Sequence, residues 1–265
     1  MENLEFLKKI IKGKNFGEEL YPALEKNIQE GVKSFQLPFK TEINKLAFEA
    51  KLNFNKASTS DMYFFNGYDA TLTRSNGQEI KQSFEIKKGT GMTVKEAFNQ
   101  LQGRAVLKNM KDENGEPFME WSRLNFKKTD EKGNYLVERY NENRGYDLKE
   151  ALSKFPVIEL DGGDKEKDLL RSLERGNAQS ATIDNNGEPI KVFFEANPEY
   201  KTVNVYDNHF KLLKHDDLPV VKRTQNDAKQ DVAEQPKNSQ QQAQKQADGK
   251  AQKNGRERKP RVKIA

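Results

Sequence analysis

Two stretches of this chain, 54 residues apart, spell the same succession of turn and helix signals, and that repetition restricts the folds open to it. Residues 70–101 read as an extended run (Ala70-Thr-Leu-Thr73), a turn at Asn76-Gly77, a second run over 80–86, Gly91, and then Thr93-Val-Lys-Glu-Ala-Phe98. Residues 123–155 repeat the order: Leu124-Asn-Phe126, a turn at Lys132-Gly133, a run over 135–140, Gly145, and Asp147-Leu-Lys-Glu-Ala-Leu152. Asn-Gly between extended runs signals a tight hairpin. Each closing segment starts on a capping oxygen (Thr93, Asp147) and carries apolar residues at helical spacing: Val94, Ala97, Phe98, Leu101 in one, Leu148, Ala151, Leu152, Phe155 in the other. A second, looser pair brackets the first. A helix end at 20–27, a hairpin-like stretch at 35–46 and Phe48-Glu-Ala50 are echoed by a helix end at 169–176, a turn at Asn185-Asn-Gly187 and Phe194-Glu-Ala196.

Strands joined by tight turns are antiparallel, and the pattern lacks the alternating buried strands and helices of a parallel sheet. The expectation is therefore an α+β fold of repeated β-hairpin-plus-helix units with antiparallel sheets, followed by a disordered basic tail. Helices are expected near 2–11, 17–30, 93–102, 147–155 and 164–175, with eight to ten short strands. The implied organisation is an N-terminal helical and outer unit at 1–69, two inner repeats at 70–156, a C-terminal outer unit at 157–221 and a Gln/Lys-rich tail at 222–265.

The tail follows from composition. Only 34% of the chain is hydrophobic, and between residues 224 and 255 there is no aromatic and a single larger aliphatic, Val232. Such a stretch cannot bury enough surface to offset about 1–2 kcal/mol of backbone entropy per residue. Lys222–Ala265 holds twelve basic and five acidic residues, a charge of +7 that leaves −2 on the rest and accounts for the pI near 9.0. Within the body, residues 71–111 carry eight basic and three acidic residues, so a positive face containing Lys87, Lys88, Arg104 and Lys108 is expected.

Absences exclude much chemistry. With no cysteine there is no thiol nucleophile, disulfide or thiolate zinc site, and His209 and His215 are the only imidazoles. No phosphate-binding loop, dinucleotide fingerprint, zinc-protease helix or nucleophile elbow is present. Asp161-Gly-Gly-Asp164 is the one pair of carboxylates on a flexible turn that a Mg²⁺-dependent nuclease could use, and it reads more simply as an acidic loop opening the next helix. No catalytic residue, metal or cofactor is assigned. No apolar run approaches the length of a membrane span, and charged residues interrupt the N-terminus, so a cytoplasmic protein without membrane association is expected.

What remains is binding. Gly255-Arg-Glu-Arg-Lys-Pro-Arg-Val-Lys263 packs Arg256, Arg258, Lys259, Arg261 and Lys263 into eight positions, suited to displacing counterions from phosphates. Rings beside cations suit unpaired bases, and two sets qualify: Tyr63, Phe64, Phe65 and Tyr68 with Arg74, and Tyr200, Lys201 and Tyr206 with Phe210.

The stretch Phe194-Glu195-Ala196-Asn197-Pro198-Glu199-Tyr200-Lys201-Thr-Val-Asn-Val-Tyr206-Asp207 resembles a domain family of unknown function found in conjugative-transposon and other mobile-element proteins of anaerobic gut bacteria, sometimes fused to type IA topoisomerases. The resemblance extends to Gly91-Met-Thr-Val-Lys-Glu-Ala-Phe98, to Asn143-Arg-Gly-Tyr-Asp147 and to Arg175-Gly-Asn-Ala-Gln-Ser180, roughly residues 64–207. It implies a role beside DNA processing and brings no catalytic residues. The combined expectation is a non-enzymatic accessory protein of a mobile element that binds nucleic acid weakly through its tail and a basic face. The alternative is an interaction module that docks a DNA-processing or conjugation enzyme without touching DNA. Oligomeric state is not legible. Limited proteolysis is expected to leave a core ending between about 210 and 225; a resistant fragment reaching past 240 would contradict the tail assignment.

Overall fold

The computed structural model describes residues 2–112, 114–141 and 145–221, and residues 1–221 form one unit. The fold is α+β, with three antiparallel sheets and five α-helices among the described residues. The expected tail, including Arg256, Arg258, Lys259, Arg261 and Lys263, lies outside the described residues.

Helices α1 (Glu2–Gly13) and α2 (Tyr21–Gln29) turn Leu7, Ile11 and Leu24 inward onto the first sheet, and the Tyr21 hydroxyl donates to the Lys8 carbonyl at 3.1 Å. The sheet is a meander of β1 (Ser34–Ile43), β2 (Leu46–Lys56), β3 (Tyr63–Thr73) and β4 (Glu79–Glu85). Strict alternation sends Phe35, Leu37 and Phe39 of β1 into the core, while Pro38 between them pairs with Lys51 on the edge of the sheet. Phe54 stacks between Phe35 and Phe65 with centroids 5.1 and 4.9 Å away, and Phe16 meets Phe39 and Tyr68 edge-on.

Helix α3 (Val94–Leu101) follows, started by a reciprocal cap in which Thr93 Oγ1 accepts from the Glu96 N–H and the Glu96 carboxylate accepts from the Thr93 N–H. Every residue from Glu96 to Leu101 is buried. A helix covered on all sides must have structure on both flanks, and the second sheet, β5 (Val106–Lys111), β6 (Pro117–Thr129) and β7 (Tyr135–Asn141), supplies the other one. Neighbouring β6 residues face opposite ways: Leu124 joins the first core, Ser122 receives the Gln100 amide at 2.8 Å, and Trp121 belongs to the second core. That second core lies between the middle sheet, α4 (Leu148–Leu152), α5 (Asp164–Glu174) and the third sheet, β8 (Gln179–Asn185), β9 (Glu188–Asn197) and β10 (Thr202–Tyr206). Phe155, Leu173, Ile183, Phe194, Val203 and Val205 fill it.

Hairpin and helix succeed one another in the expected order, as β3–β4–α3 and as β6–β7–α4, with Phe98 and Leu152 both buried. Their settings differ. The first hairpin ends a four-stranded meander and the second completes a three-stranded one; α3 spans eight residues and α4 five, with Asp147 alone as cap. The division expected at 69/70 falls inside β3. The Phe-Glu-Ala triplets also sit in different registers, Phe48 three residues past the Asn44-Lys45 turn and Phe194 seven past Gly187.

The end of α5 comes close to the segment that follows α3. Gly176 ends α5 at φ +80°, and a β-carbon there would lie 2.8 Å from the Ala105 carbonyl oxygen, 2.9 Å from Val106 Cγ2 and 3.1 Å from Asn99 Cβ. Gly176→Ala combines left-handed strain with overpacking and is expected to cost about 2–4 kcal/mol, read as a lowered denaturant midpoint. Gly187→Ala, with open space around it, is expected to cost only the strain component, about 1–2 kcal/mol.

Candidate nucleic-acid interface

The third sheet turns one face to the core and the other outward. Val192, Phe194 and Ala196 of β9 and Val203 and Val205 of β10 are buried, so alternation sends Phe193, Glu195, Asn197, Asn204 and Tyr206 to the opposite face. Cross-strand partners on that face meet in rows. Asn204 Nδ2 donates to Glu195 Oε1 at 3.1 Å, and Asn197 Nδ2 donates to Asn204 Oδ1 at 2.8 Å. Phe193 pairs with Tyr206, and the ring of Phe210 stacks on Phe193 at 4.5 Å with 27° between planes. Phe210 remains 57% exposed. Lys191, two residues before Phe193, is exposed on the same side.

One cation from the α3 region, Arg104, borders this face, and a second, Lys95, stands near it. Arg104 follows α3, and its Nη2 donates to Asn99 Oδ1 at 2.7 Å. The guanidinium stands 5.9 Å from the Phe98 ring centre, and Lys95 Nζ stands 4.9 Å from the same ring. Burial lowers the pKa of Arg104, with Glu195 and Tyr206 acting in the other direction; burial and then the charge of Arg104 lower that of Lys95. Neither forms an ion pair among the described residues, and Arg104 Nε is buried without a hydrogen-bond partner. Two like charges partly withdrawn from water with no carboxylate in contact favour an external anion. Glu195, the nearest carboxyl on the face, is itself held above its usual pKa by burial, against the pull of Asn204, Arg104 and Arg123.

The other basic residues of 71–111 are differently placed. Lys87 pairs with Glu85 at 2.7 Å and Lys81 with Glu79 at 2.8 Å, both on open surface. Lys88 sits at φ +50° in the turn after β4, and Lys108 is bound to the cap carboxylate of Glu96 at 2.9 Å. Lys87 and Lys88 therefore stand at the end of the first sheet, Lys108 against the start of α3, and Arg104 beside the third sheet. The run of positive charge in sequence is distributed over these places and largely neutralised at Lys81, Lys87 and Lys108.

The two aromatic sets separate as well. Tyr63, Phe65 and Tyr68 are core residues, and only Phe64 reaches the surface. In the other set, Tyr200 is 71% exposed on the β9–β10 turn, where Lys201 adopts φ +53°, while Tyr206 and Phe210 join Phe193 on the outer face. Phe193 and Lys95 were not singled out by sequence reasoning; the alternation of buried Val192 and Phe194 is the signal that turns Phe193 outward. Within the motif at 194–207, Phe194, Ala196 and Pro198 are structural, Glu195, Asn197 and Tyr206 form the outer face, Tyr200 and Lys201 form the turn, and Asp207 closes the following turn. Asp164 pairs with Lys167, Asp161 accepts from the Gly163 N–H, and His215 bonds to the Val203 carbonyl at 2.8 Å against Phe155. Among the described residues no three His, Asp or Glu side chains converge as metal ligands.

A separate cleft of about 230 Å³ opens between the middle sheet and helices α4 and α5, with Trp121, Tyr140 and Tyr146 as aromatic walls and Lys149 and Glu174 at its rim. Trp121 and Tyr146 meet edge-on at 5.5 Å. The space is below that of sites enclosing drug-sized molecules.

The outer face has a measurable pH signature. A carboxyl whose folded pKa is raised keeps its proton longer when folded than when unfolded, so its contribution to stability falls as pH rises from the ordinary value of 4.5 through the elevated one. Glu195→Gln preserves the acceptor for Asn204 and is expected to flatten that decline relative to the parent chain, read from denaturant midpoints across about pH 4 to 8. An unchanged difference across that range would mean that Glu195 titrates as an ordinary surface carboxyl. Compared with known protein families, curated proteins and solved structures, the chain matches none of them.

Proposed function

We propose that this chain is a non-enzymatic accessory protein of a mobile genetic element that binds nucleic acid, acting in the cytoplasm. The observation that carries the binding reading is the Lys95–Arg104 pair, half-buried and without an ion-pair partner among the described residues, beside an outward face bearing Phe193, Tyr206 and Phe210. Cations with rings beside them suit phosphates with bases attached. The basic residues of 222–265 add sequence-independent attraction. Residues 194–207 support the mobile-element setting through their resemblance. In this reading the two hairpin-plus-helix segments are duplicates that diverged once one helix was enclosed between sheets.

Binding to labelled single-stranded and duplex DNA across a salt series tests the reading. Each neutralised phosphate contributes roughly 0.9 to the slope of log K against log salt on duplex, so removing 222–265 is expected to flatten the slope by several units. Lys95→Gln with Arg104→Gln is expected to weaken the remaining binding more than Lys87→Gln with Lys88→Gln. If the full chain binds no DNA at about 50 mM salt, the nucleic-acid reading falls. The second reading, a module docking a DNA-processing protein, then takes its place, supported by the aromatic cleft at Trp121 and the exposed Leu136 and Val137 of β7.

A further inference from the structure

Four turns among the described residues follow one plan. At 74–78, 112–116, 130–134 and 207–211 the first residue's N–H donates to the carbonyl of the fifth, and its carbonyl accepts from the N–H of the fourth. This geometry forces the fourth residue into the left-handed region. Three of the turns put glycine there: Gly77 at φ +81°, Gly115 at +87° and Gly133 at +81°. The fourth puts Phe210 there, at +59°.

The last two turns agree in detail. Asp130 Oδ1 accepts from the N–H groups of Lys132 and Asn134 at 2.9 and 2.8 Å, and Asp207 Oδ1 accepts from those of His209 and Lys211 at 2.8 and 3.0 Å. Both carboxylates are held below their usual pKa chiefly by these backbone donors. The local chemistry is matched except at one position, where a bulky side chain occupies a conformation that glycine takes without cost. Burial does not explain the choice, because Phe210 is 57% exposed. Its ring stacks on Phe193, with Tyr206 nearby, and stays largely exposed.

Resting on the nucleic-acid reading, we infer that Phe210 is a base-stacking residue for single-stranded nucleic acid, held outward by the strained turn. An unpaired base continues the Phe193–Phe210 stack. The phosphates on one side face Arg104, whose charge acts on Tyr206, which in turn lies 6.3 Å from Phe210, and Lys95 beside it. Those on the other side face Lys191. Duplex DNA hides its base faces inside the helix, so the arrangement selects single strands.

Two variants of the full chain, assayed by anisotropy with a labelled oligothymidine and with a duplex of equal length, test the inference. Phe210→Gly relieves the strained backbone, and its melting temperature is expected to stay the same or rise, while affinity for the oligothymidine falls about tenfold or more and duplex affinity is unchanged. Phe210→Trp keeps a ring in place and is expected to retain binding. Since Trp121 is the sole native tryptophan and is buried, emission from the new indole is expected to be quenched by the oligothymidine. If the parent chain binds both probes and Phe210→Gly binds the oligothymidine equally well, the stacking role is overturned while the function stands. A Phe210→Gly chain that melts lower with binding intact assigns Phe210 to covering Phe193 instead. Failure of the parent chain to bind either probe removes the function and this inference together.

Discussion

The arrangement depends on burying a helix that carries amides on its second face. Ala97, Phe98 and Leu101 of α3 seal the first core, but Asn99 and Gln100 are equally enclosed. Buried amides must be bonded, and each bond here fixes a different part of the chain. Gln100 holds the middle sheet through Ser122. Asn99 donates to the Arg175 carbonyl at 2.8 Å and to Asn177 Oδ1 at 2.9 Å, fixing the end of α5, and accepts from Arg104. The close approach of Gly176 to Ala105, Val106 and Asn99 is the steric counterpart of those bonds. Arg104 is therefore positioned by the same amide that joins the two cores, and the candidate interface is tied to the fold at its centre.

Helix starts and turns were legible because they depend on neighbours in sequence. Thr93 and Asp147 cap as expected, all five helices fall near their expected positions, and the turns at Gly77 and Gly133 close hairpins. The polar flank of α3 was not legible, since helical periodicity identifies the apolar stripe and leaves Asn99 and Gln100 looking like a solvent face. In the first outer unit the stretch expected as a hairpin at 35–46 is one strand, β1, and its turn, with Phe48-Glu-Ala50 inside β2, and the Phe-Glu-Ala triplets, which suggested equivalence, fall four residues apart relative to their turns.

Charge behaved similarly. The segment 71–111 is basic as a string, yet several of its lysines meet a glutamate, two residues back along the chain at Lys81–Glu79 and Lys87–Glu85 and on α3 at Lys108–Glu96. Lys95 and Arg104, which form no ion pair among the described residues, are brought together in space, nine residues apart and over one ring. Aromatic residues divided by strand geometry: Tyr63 and Phe65 alternate into the core of the first sheet and a register shift at Asn66 turns Tyr68 in as well, whereas the strand that buries Phe194 necessarily turns Phe193 out.

The pairing of Pro38 with Lys51 governs how the first sheet meets other chains. The ten-residue strand β1 is an outer strand, and a flat edge of that length normally offers backbone donors to which a foreign strand can attach. Proline has no N–H, so its nitrogen faces away from β2 and leaves a gap midway along that row of donors. An incoming strand would meet the gap and a ring protruding beside it, so growth of the sheet into an intermolecular ribbon stops at Pro38, although Phe35, Leu37 and Phe39 give this strand strong β-forming character.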